Sequence, residues 1–401
     1  MVAILQNLIL VVVPFLAIIT LIVTVHELGH FLTARACGVA IERFSIGFGR
    51  ALVSWRDRAG VEWRIAWAPL GGYVRFALDE NVASVPDQED LEEMRSRIIA
   101  LEGRGAELKY LPFKPLWQRA LIVVAGPAAN FVLAIALFAL IFGTVGEMVT
   151  PNQVSTVVPG SAAAQAGFKA GDRIVSANGR ALADFSELSQ YVALHDIAPI
   201  DFKVQRGAAV IDIVAAPRPV REKSEFGGSD IHGVLGLKAY GRQVKLDPFT
   251  AVVHGTSETW TVLRGTAIYF GRLVTGHVNL NQLHGVIGMA RMSGSITRHA
   301  IADAPHDPGI QVLQVIVNLI GFAALISVSI GFMNLLPLPV LDGGHLLFYA
   351  YEWIARRPLG VRVQAAGYRV GLALLVGLML FANLHDLPLT RVFHFFGSLF
   401  S

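Results

Sequence analysis

Charge disappears from the chain over long, separated stretches. Residues 8–25 (LILVVVPFLAIITLIVTV) carry no charged side chain, which at about 1.5 Å per residue gives roughly 27 Å of helix, close to the thickness of bilayer hydrocarbon. Residues 120–143 and 312–336 repeat the pattern. A fourth apolar stretch, 370–382, is shorter and needs Tyr368 and a snorkelling Arg369 to reach an interface. Elsewhere the period changes. From 152 to about 216 apolar positions alternate, with Pro159-Gly160, Gly171-Asp172 and Asn178-Gly179 as turn signals, so short strands are expected. Trp260, Leu263, Ala267, Phe270 and Val274 recur at three and four, while Glu258, Arg264 and Arg272 fall elsewhere, predicting an amphipathic helix on the membrane surface or against the spans.

Composition agrees with the spans. The 401 residues are 54% hydrophobic and 16% charged, with a mean hydropathy of +0.54, which places the chain among integral membrane proteins. Met1–Asn7 hold no Lys or Arg and no small-residue cleavage site follows 8–25, so that stretch reads as a retained span and not a signal peptide. The net charge of +3 is spread thinly, with no basic, aromatic-laced stripe to bind nucleic acid. Cys37 is the only cysteine, excluding an intrachain disulfide or a cysteine-rich metal site. Arg356, Arg357, Arg362 and Arg369 outnumber Asp342 and Glu352 between the last two spans, which should make that loop cytoplasmic. Both termini and the 144–311 region then lie outside, and the 33–117 loop inside. Its acid-rich run from Asp79 to Glu93 reads as a solvated loop.

His26-Glu27-Leu28-Gly29-His30 fits H-E-x-x-H, which on a helix places two imidazoles one turn apart with a carboxylate beside them, as a zinc peptidase requires. The motif ends the first apolar stretch, where such groups are costly unless paired or bound to metal. A catalytic zinc usually takes a third protein ligand. Asp342, in Asn334-Leu-Leu-Pro-Leu-Pro-Val-Leu-Asp-Gly-Gly-His345, is the candidate: Pro337 and Pro339 break the third span, and Gly343-Gly344 permit close approach. The first and third spans run parallel, so His30 and Asp342 should reach the same membrane side. Glu27 would act as base, and Asn334 would either donate to the oxyanion or the substrate strand or bond between helices. His345, past the glycines, is expected to be exposed. Segments 43–50 (RFSIGFGR) and 69–76 (PLGGYVRF) are Gly-rich and β-prone and are expected to form a hairpin, either one whose edge receives an unwound substrate or an ordinary interfacial one.

The stretch VVPGSAAAQAGFKAGDRIVSANGR resembles a PDZ domain of the bacterial protease type, which would bind a peptide or chain end by strand addition. Read in order, HELGH, GFG, PLGGYV, AGPAAN, this stretch and NLLPLPVLDGGH make the chain similar to the site-2 protease family over nearly its whole length. That resemblance implies one Zn²⁺ per chain on His26, His30 and Asp342, with Glu27 as catalytic base. It implies a membrane-associated β element touching substrate through Gly47, Gly49, Gly71, Gly72 and Tyr73, and supporting roles for Asn130 and Asn334. It also implies regulated intramembrane proteolysis of single-span proteins, anti-sigma factors or remnant signal peptides, in a bacterial inner membrane. A second PDZ-like repeat, found in tandem in some relatives, is missing, because residues 221–245 are too few. Part of 227–240 would instead complete the single domain.

The expected fold class is thus a polytopic α-helical membrane protein of about four transmembrane helices with a membrane-associated β element and an extracytoplasmic PDZ-like α+β domain. The expected parts are 1–150 with two spans, the HELGH site and the hairpin, 151–245 as the PDZ-like domain, 246–310 as a helical connector, and 311–401 with two spans and the LDGG motif. The alternative is a PDZ-bearing membrane scaffold with a structural or inactive zinc site. A transporter would predict an inverted repeat, which the sequence does not show.

Overall fold

The computed structural model describes residues 2–78, 88–182, 184–193, 198–223, 229–275, 285–303 and 307–386. Two compact units emerge, Met1–Ile141 with Pro248–Ser401, and Phe142–Asp247.

The chain opens with helix α1 (Val2–Ala36). The H-E-x-x-H motif was expected to end this helix, yet α1 continues to Ala36. Phe31 and Ala34 beyond the motif are buried, packing on the elements that follow, and burial of this kind extends a helix past its purely apolar stretch. Gly38 (φ 67°) stops it in a left-handed turn, with the Val39 amide donating to the Ala34 carbonyl at 2.9 Å. Strands β1 (Ile41–Arg56) and β2 (Glu62–Phe76) form an antiparallel hairpin. It doubles back on itself: Phe44 faces Val74, but Arg43 to Ile46 also face Glu62 to Ile65, with irregular register around Phe48. Phe44, Val61 and Trp63 pack on Phe31 and Leu28 of α1.

Of the acid-rich run, residues 79–87 lie outside the described residues. The rest begins helix α2 (Gln88–Glu102), where a loop was expected. Helix α3 (Leu116–Thr144) is the second apolar span.

The 142–247 unit carries strand β3 (Glu147–Val149), β4 (Thr156–Val157), helix α4 (Ala162–Ala166), β5 (Arg173–Ala177), β6 (Arg180–Ala181), α5 (Phe185–Ala193), β7 (Ile200–Arg206), β8 (Ala209–Ala215), β9 (Arg218–Lys223), β10 (Ser229–Val234), β11 (Leu237–Lys238) and β12 (Arg242–Val244). Its main sheet has the order β6-β5-β7-β8, all antiparallel. Alternation along β7 buries Ile200, Phe202 and Val204 among Ile174, Leu188 and Ile213. Asn178 (φ 46°) and Gly179 (φ 77°) make the β5–β6 turn, a conformation that Asn-Gly favours. β11 pairs with β4 and β10 with β9, so 229–238 belongs to this unit.

The chain continues as α6 (Pro248–Val274), α7 (Val286–Asp303), α8 (Pro308–Asn334), α9 (Asp342–Ala355) and α10 (Val361–Asp386). Asp307 caps α8 by accepting from the Gly309 amide at 2.8 Å, with Pro308 in the first turn. Among the described residues four helices are long and apolar enough to span a membrane: Val11–Ala36, Leu116–Thr144, Pro308–Asn334 and Arg362–Asn383. Helix α7 falls in the stretch expected as a helical connector, without bounds of its own; Met292 and Ile296 join Ile18, Ile22, Leu133, Phe322 and Ile326, so α1, α3, α7 and α8 share one apolar core.

Candidate active site

His26 and His30 lie one turn apart on α1, their ring centroids 4.7 Å and their Nε2 atoms 3.1 Å apart. His30 Nδ1 is 2.8 Å from the Ile122 carbonyl of α3. A carbonyl only accepts, so the proton sits on Nδ1 and the Nε2 lone pair is free. His26 Nδ1 is 3.3 Å from the side-chain amide of Asn130, which is fully buried. Turning that amide over lets Nδ1–H donate to Asn130 Oδ1, an atom otherwise buried without a partner. The second Nε2 is then free as well.

Asp342, the first residue of α9, completes the cluster. Its Oδ2 is 3.1 Å from His26 Nε2 and 3.6 Å from His30 Nε2. The distances alone suggest ion pairs, but the tautomers above put lone pairs on all three atoms, and Asp342 Oδ2 is buried without a hydrogen-bond partner. Three facing acceptors are unfavourable unless a cation sits among them. Ligands at about 2.0–2.2 Å around a tetrahedral zinc stand about 3.3–3.6 Å apart, and the separations here, 3.1, 3.1 and 3.6 Å, lie close to that range.

The surroundings are shaped for this cluster. A side chain at Gly126 of α3 would overlap the His30 ring, and would meet His26 Cε1 at 2.9 Å; only glycine lets α3 pass so close. Ser327 of α8 donates to the Asn130 carbonyl at 2.8 Å and ties α8 to α3 at this level. Glu27 accepts from the Val74 amide of β2 at 3.1 Å, and Thr20 donates to the Pro69 carbonyl at 2.6 Å, so PLGGYV runs beside α1.

The structure thus gathers His26, His30, Asp342, Asn130 and Glu27. Gly71 and Gly72 lie against α1, where a side chain at Gly71 would meet Val23 and one at Gly72 would approach Glu27. Gly47 and Gly49 stay within the hairpin against Ala66, Trp67 and Ala68, and Tyr73 stacks on Phe48 at 5.9 Å. Asn334 closes α8 half-buried, and among the described residues it makes no hydrogen bond to the cluster. His345 is not exposed: the chain re-enters a helix at Asp342, and His345 Nε2 lies 3.2 Å from Tyr368 Oη of α10. Sequence reasoning missed Gly126 and the Ile122 carbonyl; a glycine inside the apolar AGPAAN segment was the signal for close helix contact.

The model of peptidase family M50 matches residues 14–378. Metalloprotease MmpA of Caulobacter vibrioides is 49% identical over 97% of this chain and 98% of its own. A protein of Agrobacterium fabrum whose name includes zinc metalloprotease is 39% identical over 94% and 95%. Regulator of sigma-E protease RseP of Salmonella typhimurium is 30% identical over 93% and 97%, in an alignment of 472 positions that exceeds this chain's 401 residues, so RseP carries residues this chain lacks. The four membrane-length helices and the match over most of the chain lead to one conclusion: this chain belongs to peptidase family M50, the site-2 protease family, whose members are membrane zinc metalloproteases.

Proposed function

We propose that the chain is an intramembrane endopeptidase that cuts single-span membrane proteins, holding one Zn²⁺ on His26, His30 and Asp342 and using Glu27 as general base. The observation that carries the reading is the set of three convergent acceptor atoms, separated by 3.1–3.6 Å, amid membrane-length helices. Bound zinc would polarise the scissile carbonyl and acidify a water molecule. Glu27, oriented by the Val74 amide, takes a proton from the attacking water and passes it to the leaving amine. The β2 segment beside Glu27 receives the unwound substrate as an added strand, because a helical substrate hides its carbonyls in its own hydrogen bonds. Asn334 contributes a donor once substrate is present.

Anti-sigma factors already trimmed outside the membrane, and remnant signal peptides, are the substrate classes this architecture suits. The 142–247 unit acts as a PDZ-like module for a peptide or chain end, with its antiparallel sheet as the platform. The positive loop between the last two spans supports an inner-membrane orientation with the site toward the cytoplasm and this unit in the periplasm.

Cleavage of a single-span substrate by purified protein, beside Glu27→Gln with metal content measured for both, tests the reading. The variant should keep zinc and lose roughly 10²–10⁴-fold in rate. Zinc in both with no cleavage of several substrates would favour a scaffold, and unaffected cleavage in the variant would rule Glu27 out as base.

A further inference from the structure

Two partly buried charged side chains of α3 and α9 meet away from the metal cluster. Arg119 of α3 contacts Glu352 of α9, Nη2 to Oε1 at 2.5 Å, with side-chain exposures of 16% and 24%. The Arg119 guanidinium also lies 5.0 Å from the centre of the Tyr349 ring. A mostly buried charge pair is a weak source of stability, because desolvation offsets much of the attraction, so its placement calls for another account.

Its position on the two helices supplies one. Along α3, Arg119, Ile122, Gly126 and Asn130 recur at three and four and form a single stripe. Ile122 holds His30, Gly126 admits both rings, and Asn130 faces His26. Along α9, Asp342, His345, Tyr349 and Glu352 form the matching stripe, running the opposite way. Asp342 meets the histidines at one end, and Glu352 reaches Arg119 ten residues on, about 15 Å down the axis. The same face of α3 therefore orients the two imidazoles and grips the far end of the helix that carries the carboxylate.

That grip has a purpose, because α9 is not a continuation of α8. Leu335–Leu341, with Pro337 and Pro339, separates them. A break of this kind sets no helix direction by itself. The neighbouring α10 touches α9 through Tyr368 on His345, but α10 holds no part of the histidine site. The Arg119–Glu352 pair ties the carboxylate helix to α3, the helix that also orients the imidazoles.

We propose that Arg119, Tyr349 and Glu352 form a clamp that positions Asp342 for the metal. The clamp rests on the metal-site reading above. Arg119 and Glu352 are positioning residues: they contact neither substrate nor metal, and act by fixing α9. The planar guanidinium suits this task because it pairs with Glu352 and stacks on Tyr349 at once.

The test uses the full chain in detergent, comparing the parent with Arg119→Gln, Glu352→Gln, Arg119→Lys and the swap Arg119→Glu/Glu352→Arg. Zinc dissociation is read by chelator competition, and kcat and KM on a single-span substrate. Each Gln variant should bind zinc roughly ten- to hundredfold more weakly, the usual cost of disturbing a ligand's support. Its kcat should fall by a comparable factor with KM within about twofold. Arg119→Lys should fall between, and the swap should recover most of the zinc affinity. Zinc affinity within about twofold of the parent in both Gln variants would overturn the clamp, as would a swap no better than either single change. A parent that binds no zinc would overturn the metal-site reading itself, and because zinc is measured separately, failure on a chosen substrate is not confused with either.

Discussion

Asp172 of the 142–247 unit and Asp342 of the membrane unit are both buried or largely so, and they are surrounded in opposite ways. Asp172 is 1% exposed and every direction around it holds a donor: Arg206 Nε at 2.7 Å, Arg206 Nη2 at 2.8 Å and the Lys169 amide at 2.8 Å. Asp342 Oδ2 faces two imidazole nitrogens whose protons are directed elsewhere. The first carboxylate is satisfied by the protein and serves the fold. The second is complete only with a cation. Burial alone does not mark a functional carboxylate; unsatisfied acceptors that converge on one point do.

The comparison breaks most sharply at His30. His30→Ala removes one of three ligands and leaves the Ile122 carbonyl without its donor. Retained zinc should weaken by roughly a thousandfold or more, since two ligands do not hold a catalytic zinc, and cleavage should vanish with it. Metal analysis after dialysis against a chelator reads the effect. Full zinc retention would show that the three acceptors are not the site.

A milder perturbation leaves all three ligands in place. Gly126→Val puts a branched side chain where the imidazoles pass α3, so α1 and α3 must separate or the rings must turn. Zinc affinity should drop by roughly ten- to hundredfold, with the helices still inserted and the 142–247 unit unchanged. An unchanged dissociation constant would mean that the contact between α1 and α3 is not what orients the rings.

Legibility followed the physics of each region. Spans were readable because the bilayer demands long apolar runs, and β5 to β8 were readable because alternation and Asn178-Gly179 are local signals. H-E-x-x-H was readable because its geometry is a property of one helix. Asp342 came from chemistry and topology combined. The bounds of α7 and helix α9 itself were not readable: α7 has the length of a span but polar residues such as Arg291 and Arg298, and its partners α1 and α8 decide its place. The Ile122 carbonyl was invisible for a simpler reason, since any residue supplies one. Arg119 sits at the start of an apolar run, where a charge reads as the membrane boundary; only the distant Glu352 reveals its pairing.

The smallest expected effect completes the contrast and leaves zinc untouched. The hydrogen bonds from Arg206 hold the Asp172 carboxyl below the ordinary carboxylate range. A carboxylate with a depressed folded pKa stabilises the native state above its unfolded pKa of about 3.9. That stability is lost as pH falls from there through the lower folded value. Hydrogen exchange of peptides from 152–215 in the full chain, corrected for the intrinsic pH dependence of exchange, should show protection flat near neutrality and declining below about pH 4. Asp172→Asn should cost about 2 kcal/mol near neutral pH, a charged hydrogen-bonded pair whose guanidinium retains partial access to water, and should flatten the acid decline. Zinc content and cleavage should not change. If the variant kept the parent's protection and acid decline, Asp172 would not be the group that ties this unit together, and a satisfied carboxylate would no longer be the structural counterpart of an unsatisfied one.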